Sequence, residues 1–362
     1  MAQLLICTNS PGELDTWVTP IVRTFHAEYP NGSICIFITP CQYASGSETR
    51  LATAIPHVSQ VYSPKETLRY LLARPWRYPT RSNTRVLSLG GDPLYARLLA
   101  WKHRCPAGIY THRNIQSLAG FAHCFSSPHD DGLMAESVSG PIPDPPIPVP
   151  ANYLLVLCGS RPQHFFNLLP FMLSVIQELK RTIPTIPVVL GVSPFIDPND
   201  WKQCQATHDC SGIHCIHTPS MTPYIANAKL IVSIPGTNNA QMAYLKKPAL
   251  VLLPTNKPRA LILDGLAGLI GKLPILGTAI VRLAIAHTLK TTPFFSLPNR
   301  WLGHAIYPEY VGHLHVNQVA NATATLWNTC SQHTHIQSSL SKLTKKYTSE
   351  TILRLLFEGE SS

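Results

Sequence analysis

The chain has 362 residues, 45% of them hydrophobic and 13% charged, which is enough apolar material for two domains with a core each and excludes disorder as the default. Lys and Arg number 29 against 19 Asp and Glu, a net charge of +10 that favours an anionic partner: a phosphate-rich ligand, nucleic acid or an anionic membrane. The opening MAQLLICTNSPGE has neither a basic leader nor a long apolar stretch, so a cytosolic chain is expected, with its ten cysteines mostly as thiols.

LLICTN reads as a strand, residues 14–26 as a helix and residues 33–38 as a second strand, a β-α-β opening. The segment RYLLARPWRYPTR, continued to Arg85, holds Arg69, Arg74, Arg77, Arg81 and Arg85 among Tyr70, Trp76 and Tyr78 with no acidic residue. That pattern suits phosphate pairing and base stacking on RNA, and equally an anionic lipid interface. RVLSLGGDP at 85–93 is a strand running into glycines, followed by an apolar helix over 94–101 and the strand AGIYTH, which ends on His112. Ligands of a parallel sheet gather outside the carboxyl ends of its strands, so residues 9–15 and 90–92 are expected close together, with His112 a candidate neighbour.

PIPDPPIPVP at 141–150 reads as a stiff linker, after which the same grammar restarts. YLLVLCGSR at 153–161 is a strand entering Gly159-Ser160-Arg161, and residues 165–179 form an amphipathic helix. Arg161 can pair with a phosphate while Ser160 and nearby backbone N–H groups orient it. Cys158 is a cleft thiol without a paired base. Cys204, His208, Cys210, His214, Cys215 and His217 supply enough zinc ligands, but they lack two separated ligand pairs and overlap a strand, so buried thiols and exposed histidines are expected and no metal.

A short helix over 223–228 leads to KLIVSIPGTNNAQMAYLKKPALVLLPTNKPR at 229–259, two strands around a helix. The strand delivers Gly236-Thr237 to the helix start, where free N–H groups suit a phosphate. Neither glycine element matches GxGxxG or GxxxxGK[ST], which argues against a dinucleotide oxidoreductase or an NTPase. The apolar stretch over 260–289 carries Asp264, Lys272 and Arg282 and is interrupted by Gly271 and Pro274, so two short interfacial or buried helices are expected before a transmembrane span.

NSPGELDTW at 9–17, GGDP at 90–93, CGSR at 158–161, SIPGTNNAQMAYLKKPALVLLPTNKP at 233–258 and SLPNRWLGHAIYPE at 296–309 resemble the successive motifs of the lipid-A-disaccharide synthase family, in the same order over nearly the whole chain. The resemblance implies an inverting glycosyltransferase of α/β class with the GT-B fold, two Rossmann-like lobes facing a central cleft. It implies transfer of an acylated glucosamine from a UDP-sugar to an acylated glucosamine phosphate, with the UDP-sugar as donor substrate and no cofactor. Residues 1–140 are then the acceptor-side lobe, 141–150 the linker, 151–330 the nucleotide-sugar lobe and 331–362 a helical tail that packs on the first lobe. Donor handling falls to Gly159, Ser160, Arg161, Gly236, Thr237, Asn238 and Asn299.

Where the family has a Gly-Asp pair, this sequence has Gly12-Glu13-Leu14-Asp15, and Gln241 stands where an acid is expected. Gln241 can hydrogen-bond a ribose hydroxyl without supplying charge. Asp92 is the preferred base, with Glu13 and Asp15 as rivals and an N-cap as the alternative role of Asp92. Glu309 is a candidate for a sugar or ribose hydroxyl. The expected partners are an anionic membrane surface and an acylated sugar acceptor, without specific nucleic acid, placing the protein peripherally on the cytoplasmic face of the inner membrane; a homodimer stays open. The competing functions are transfer to another glycolipid and a noncatalytic GT-B-like membrane or nucleic-acid binder.

Overall fold

The computed structural model describes residues 1–41, 46–74, 83–218, 220–254 and 291–358. The chain divides into two units, Met1–Ser139 together with Thr344–Ser362, and Gly140–Leu343. Residues 331–343, grouped with the tail in the sequence reading, thus belong to the second unit. Of the 141–150 linker, Ile147 donates its N–H to the Tyr224 hydroxyl of that unit at 3.0 Å.

The first unit is built on β1 (Gln3–Thr8), β2 (Ser33–Ile38), β3 (Gln60–Tyr62), β4 (Thr84–Ser88), β5 (Ala107–Thr111) and β6 (His123–Ser126), in the order β3-β2-β1-β4-β5-β6. Every pairing is parallel. Near-continuous apolar runs such as LLIC and SICIFI suit strands covered on both faces. Leu4 and Ile6 point into one core with Ile21, Val22 and Phe25 of the helix Thr19–Glu28, while Leu5 and Cys7 point into another with Ala96, Leu99 and Ala100 of the helix Pro93–His103.

The predicted helix over 14–26 is not uniform. Residues Leu14–Val18 make a wide turn in which Thr19 N–H donates to the Leu14 carbonyl, and the α-helix runs Thr19–Glu28. Thr16 and Thr19 hydroxyls donate back to the Gly12 and Leu14 carbonyls at 2.6 and 2.9 Å, and Pro20 lacks an N–H, which together favour five-residue spacing.

The second unit repeats the pattern. Its strands β7 (Leu154–Leu157), β8 (Val188–Val192), β9 (His214–His217), β10 (Leu230–Ser233), β11 (Ala249–Pro254) and β12 (Glu309–Gly312) lie in the order β12-β11-β10-β7-β8-β9, all parallel. Each sheet therefore has the doubly wound Rossmann order, read from opposite edges. The helix Pro162–Thr182 buries Phe165, Leu169, Met172, Ile176 and Leu179 against this sheet.

After the second unit the chain returns to the first. Asp130 accepts from the Thr344 hydroxyl at 2.7 Å and the Lys346 N–H at 3.0 Å, and Glu136 accepts from the Ser349 N–H at 2.8 Å. The helix Ser349–Glu358 then buries Ile352, Leu353 and Leu356 in the first unit's core. Arg85, expected in a basic binding face, instead donates from Nε to the Leu356 carbonyl at 2.8 Å and stacks over Phe357. Arg77, Arg81, Trp76, Tyr78 and the 260–289 stretch lie outside the described residues. A Cβ on Gly132 would overlap the Tyr347 backbone carbonyl. Gly132→Ala is expected to lower stability by about 1–3 kcal/mol in urea unfolding and to speed proteolysis within residues 344–358.

Candidate functional site

In the first unit four acidic groups near the strand ends have different surroundings. After β1 the chain turns through Asn9 and Ser10, and the Glu13 carboxylate folds back under that turn. Its Oε2 accepts from the Thr8 hydroxyl and the Ser10 N–H at 3.1 Å each, and from the Asn9 N–H at 3.3 Å. Above it passes the turn that follows β4, where Gly90 has φ +112°, and a Cβ there would land on the carboxylate. Glycine at 90 is required twice, by conformation and by the approach of Glu13. Burial pushes the Glu13 carboxyl up to about 7, against the three hydrogen bonds that favour the ionised form.

Asp92, the preferred base on sequence grounds, is exposed and accepts the Leu94 N–H at 2.9 Å, so it serves as the N-cap of the helix Pro93–His103. Asp15 is exposed on the wide turn.

After β6, Asp131 forms a fully buried hub that sequence reasoning missed. It accepts from Tyr110 hydroxyl at 2.9 Å, Trp17 Nε1 at 3.0 Å, the Met134 N–H at 2.9 Å and His112 Nε2 at 3.1 Å. Burial first, then the Asp131 charge, raises the Tyr110 phenol well above its ordinary range, so it stays a donor. The pattern Asp130-Asp131-Gly132 ahead of a helix signals a cap; nothing local announces the three aromatic donors. His112 follows β5, which is separated from β1 by β4, about 10 Å away by strand spacing. Its ring is 27% exposed and its orientation is set by Asp131.

In the second unit, Gly159 follows β7 with φ +101°, and a Cβ there would meet Ile234 Cδ1 at 2.7 Å, so the turns after β7 and β10 touch. Ser160 and Arg161 lead into the helix Pro162–Thr182, whose N-cap residue, Arg161, makes no capping bond with its own side chain. The turn after β10 is organised by Asn239, which accepts the Gly236 N–H at 3.3 Å and donates to the Ile234 carbonyl at 3.1 Å. Gly236, Thr237 and Asn238 remain partly or fully exposed at the start of the helix Thr237–Tyr244. Gln241, the candidate for a ribose contact, leaves only 5% of its surface open.

Two further candidates are engaged within the protein. Asn299 is wholly buried and its amide is used within the protein: Oδ1 accepts the Ile306 and Tyr307 N–H groups at 2.8 and 2.9 Å, and Nδ2 donates to the Tyr307 carbonyl at 2.9 Å and to Glu309 Oε1 at 2.7 Å. Glu309 accepts in addition from Phe295 N–H at 2.8 Å, Ser296 N–H at 2.9 Å and Ser296 hydroxyl at 2.6 Å. This pair ties the helix Leu297–Leu302 to β12 and is occupied without a ligand. Cys158 is buried and its thiol is pushed far up, which removes it as a nucleophile. Cys204 Sγ lies 3.6 Å from His208 Nδ1, but among the described residues no three metal-ligating side chains converge.

No family model matches the sequence, and no curated protein does. Solved structures do match. A Listeria monocytogenes protein assigned as a UDP-N-acetylglucosamine 2-epimerase is similar with a TM-score of 0.62 at 10% identity, covering 99% of this chain and 96% of that one. MurG of Acinetobacter baumannii is similar with a TM-score of 0.52 at 10% identity, covering 99% and 100%. The glycosyltransferase of kitacinnamycin follows with a TM-score of 0.50 at 10% identity, covering 99% and 98%. At these identities the likeness is one of fold. The chain has a GT-B-like fold of two Rossmann-like lobes.

A carboxyl raised from 4.5 to about 7 lowers folding stability as pH rises between those values, because the unfolded chain releases its proton first. Below 4.5 both states are protonated and the penalty is absent; above 7 it is complete. Glu13→Gln is therefore expected to match the parent at pH 4 and to exceed it at pH 8 by up to ~3 kcal/mol, read from denaturant unfolding at both pH values.

Proposed function

We propose that the protein is a GT-B glycosyltransferase that moves a sugar from a UDP-sugar to a hydroxyl of a membrane-borne acceptor, with Glu13 as general base. The observation that carries this reading is the GT-B-like fold, in which the Glu13 carboxylate lies under the Gly90 turn beside the carboxyl ends of β1 and β4, where burial lifts it to about 7. A base whose pKa matches the working pH is present in both forms and transfers protons efficiently. Support for the nucleotide comes from the fold shared with the Listeria protein, assigned as a UDP-N-acetylglucosamine 2-epimerase, and from the motif resemblance. The finer assignment, an acylated glucosamine passed to an acylated glucosamine phosphate, rests on that resemblance.

The first unit takes the acceptor half of the chemistry. Ionised Glu13 removes the acceptor hydroxyl proton as its oxygen bonds to the anomeric carbon, while the bond from that carbon to the UDP oxygen breaks with its electron pair. Inversion follows from the single displacement. His112, held by Asp131, is a candidate to orient an acceptor hydroxyl. In the second unit, the charge appearing on UDP is met by Arg161 and the start of the helix Pro162–Thr182, with Gly236, Thr237 and Asn238 at the neighbouring turn.

A membrane-borne acceptor is supported by one face of the first unit. Leu68 and Leu72 of the helix Pro64–Leu72, and Leu94, Leu98 and Trp101 of the neighbouring helix Pro93–His103, are each 40–70% exposed. Their spacing puts Leu94, Leu98 and Trp101 on one stripe, opposite the stripe that packs on the sheet. Exposed Lys65, Arg69, Arg74 and Arg104 border it. An apolar face with a basic border suits a bilayer bearing anionic lipids. Among the described residues no helix is long and apolar enough to cross a membrane.

UDP release should be followed in detergent with UDP-N-acetylglucosamine and acylated UDP-glucosamine, with and without acylated glucosamine phosphate. The parent rate is expected to rise with pH through about 7 and to level off above it, and Glu13→Gln to lose roughly 10²–10⁴-fold. Release that is flat across this window, or a Glu13→Gln rate equal to the parent, removes Glu13 as base. In sedimentation with vesicles containing anionic lipid, the double substitution Leu72→Glu, Trp101→Glu is expected to weaken binding at least roughly tenfold with little change in Tm, since both side chains are largely exposed.

A further inference from the structure

A buried polar atom without a hydrogen-bond partner is rare in folded proteins and calls for a reason. Among the described residues two side-chain atoms are in this state, Arg97 Nε and His164 Nε2. His164 is in the first turn of the helix Pro162–Thr182, immediately past the Gly159-Ser160-Arg161 turn, and its Cβ lies 3.4 Å from where a Cβ on Gly159 would stand. The residue keeps part of its surface open, yet Nε2 is sealed. Burial, reinforced by the Arg161 charge, brings its pKa down to about 4, so the ring is neutral near pH 7.

Other histidines of the second unit are placed differently. His333 Nε2 lies 2.8 Å from the Leu326 carbonyl, and His208 Nδ1 lies 3.1 Å from the Cys204 carbonyl. His164 combines an unmatched ring nitrogen, the nearby Arg161 charge and a helix start that its N-cap residue Arg161 does not cap with its own side chain. An apolar residue of similar size would fill the same space without leaving a nitrogen unpaired, so packing alone gives no reason for an imidazole.

We propose that His164 is a positioning residue for the donor diphosphate: an anion settling on the Gly159–Arg161 turn draws the imidazole round, and Nε2 becomes a donor to it. The inference rests on the reading that this turn takes UDP. The free protein holds the ring in an unfavourable state that the complex relieves, so the residue contributes to binding through the difference between two conformations. A ring that serves only to pack would do the reverse, stabilising the free protein and leaving affinity unchanged.

The test compares the parent, His164→Phe and His164→Gln by calorimetric titration with UDP and by Tm without nucleotide. His164→Phe is expected to raise the nucleotide-free Tm by about 2–4 °C and to weaken UDP at least roughly fivefold. His164→Gln, which keeps a side-chain donor, is expected to stay within about threefold of the parent. UDP affinity unchanged in His164→Phe, or lost equally in His164→Gln, overturns the proposal while leaving the UDP reading standing. A folded parent that binds neither UDP nor pyrophosphate overturns both.

Discussion

Parallel pairing is the constraint from which the rest follows. Strands that all run one way deliver every carboxyl end to one edge of the sheet, and the returning helices must cover both faces. The turns at that edge are therefore a place where backbone groups and side chains from distant stretches of sequence meet. In the first unit this brings Glu13 after β1 against Gly90 after β4; in the second it brings Gly159 after β7 against Ile234 after β10. In both cases a glycine with positive φ admits the neighbour, and substitution would separate two turns that the sheet has aligned.

Electrostatics at these edges reflects how little compensating charge the chain carries. Glu13 is held by neutral donors only, and desolvation wins over three hydrogen bonds. Asp131 is held by four donors and Glu309 by an amide, a hydroxyl and two backbone N–H groups, yet the two differ in use. Glu309 and Asn299 close on one another and on their own backbone, a fastening between a helix and an edge strand. Asp131 sets the direction of an imidazole that still reaches the surface.

Much of the architecture was legible because buried parallel strands and amphipathic helices leave plain periodicities. The runs at 4–9, 33–38 and 153–157, the glycine turns at 90 and 159 and the helix over 165–179 follow from apolar spacing and breakers. The wide turn at Leu14–Val18 escaped, since its cause lies in two threonine hydroxyls and a proline acting together. The site was legible as a set of motifs but not as a set of roles. A motif names residues without saying whether they face outward or into their own backbone, so Asn299 and Glu309 read as ligand contacts, and Asp92 read as a base or an N-cap, of which its oxygen takes the cap. Glu13 stood among the candidates, but its raised pKa depends on a glycine far away in sequence. Asp131 was invisible for the same reason: three of its four partners come from elsewhere in the fold.

The return of the chain to the first unit has a bearing on how the protein is made. Ile352, Leu353 and Leu356 complete the core beside the helix Thr19–Glu28, and Asp130 and Glu136 await the segment that brings them there. During synthesis the first unit emerges early but lacks this helix until all of Gly140–Leu343 has been translated. Through that interval the nascent lobe exposes an apolar face and the carboxylate oxygens that later take Thr344, Lys346 and Ser349, so it is the second lobe, contiguous in sequence, that is equipped to fold as it leaves the ribosome.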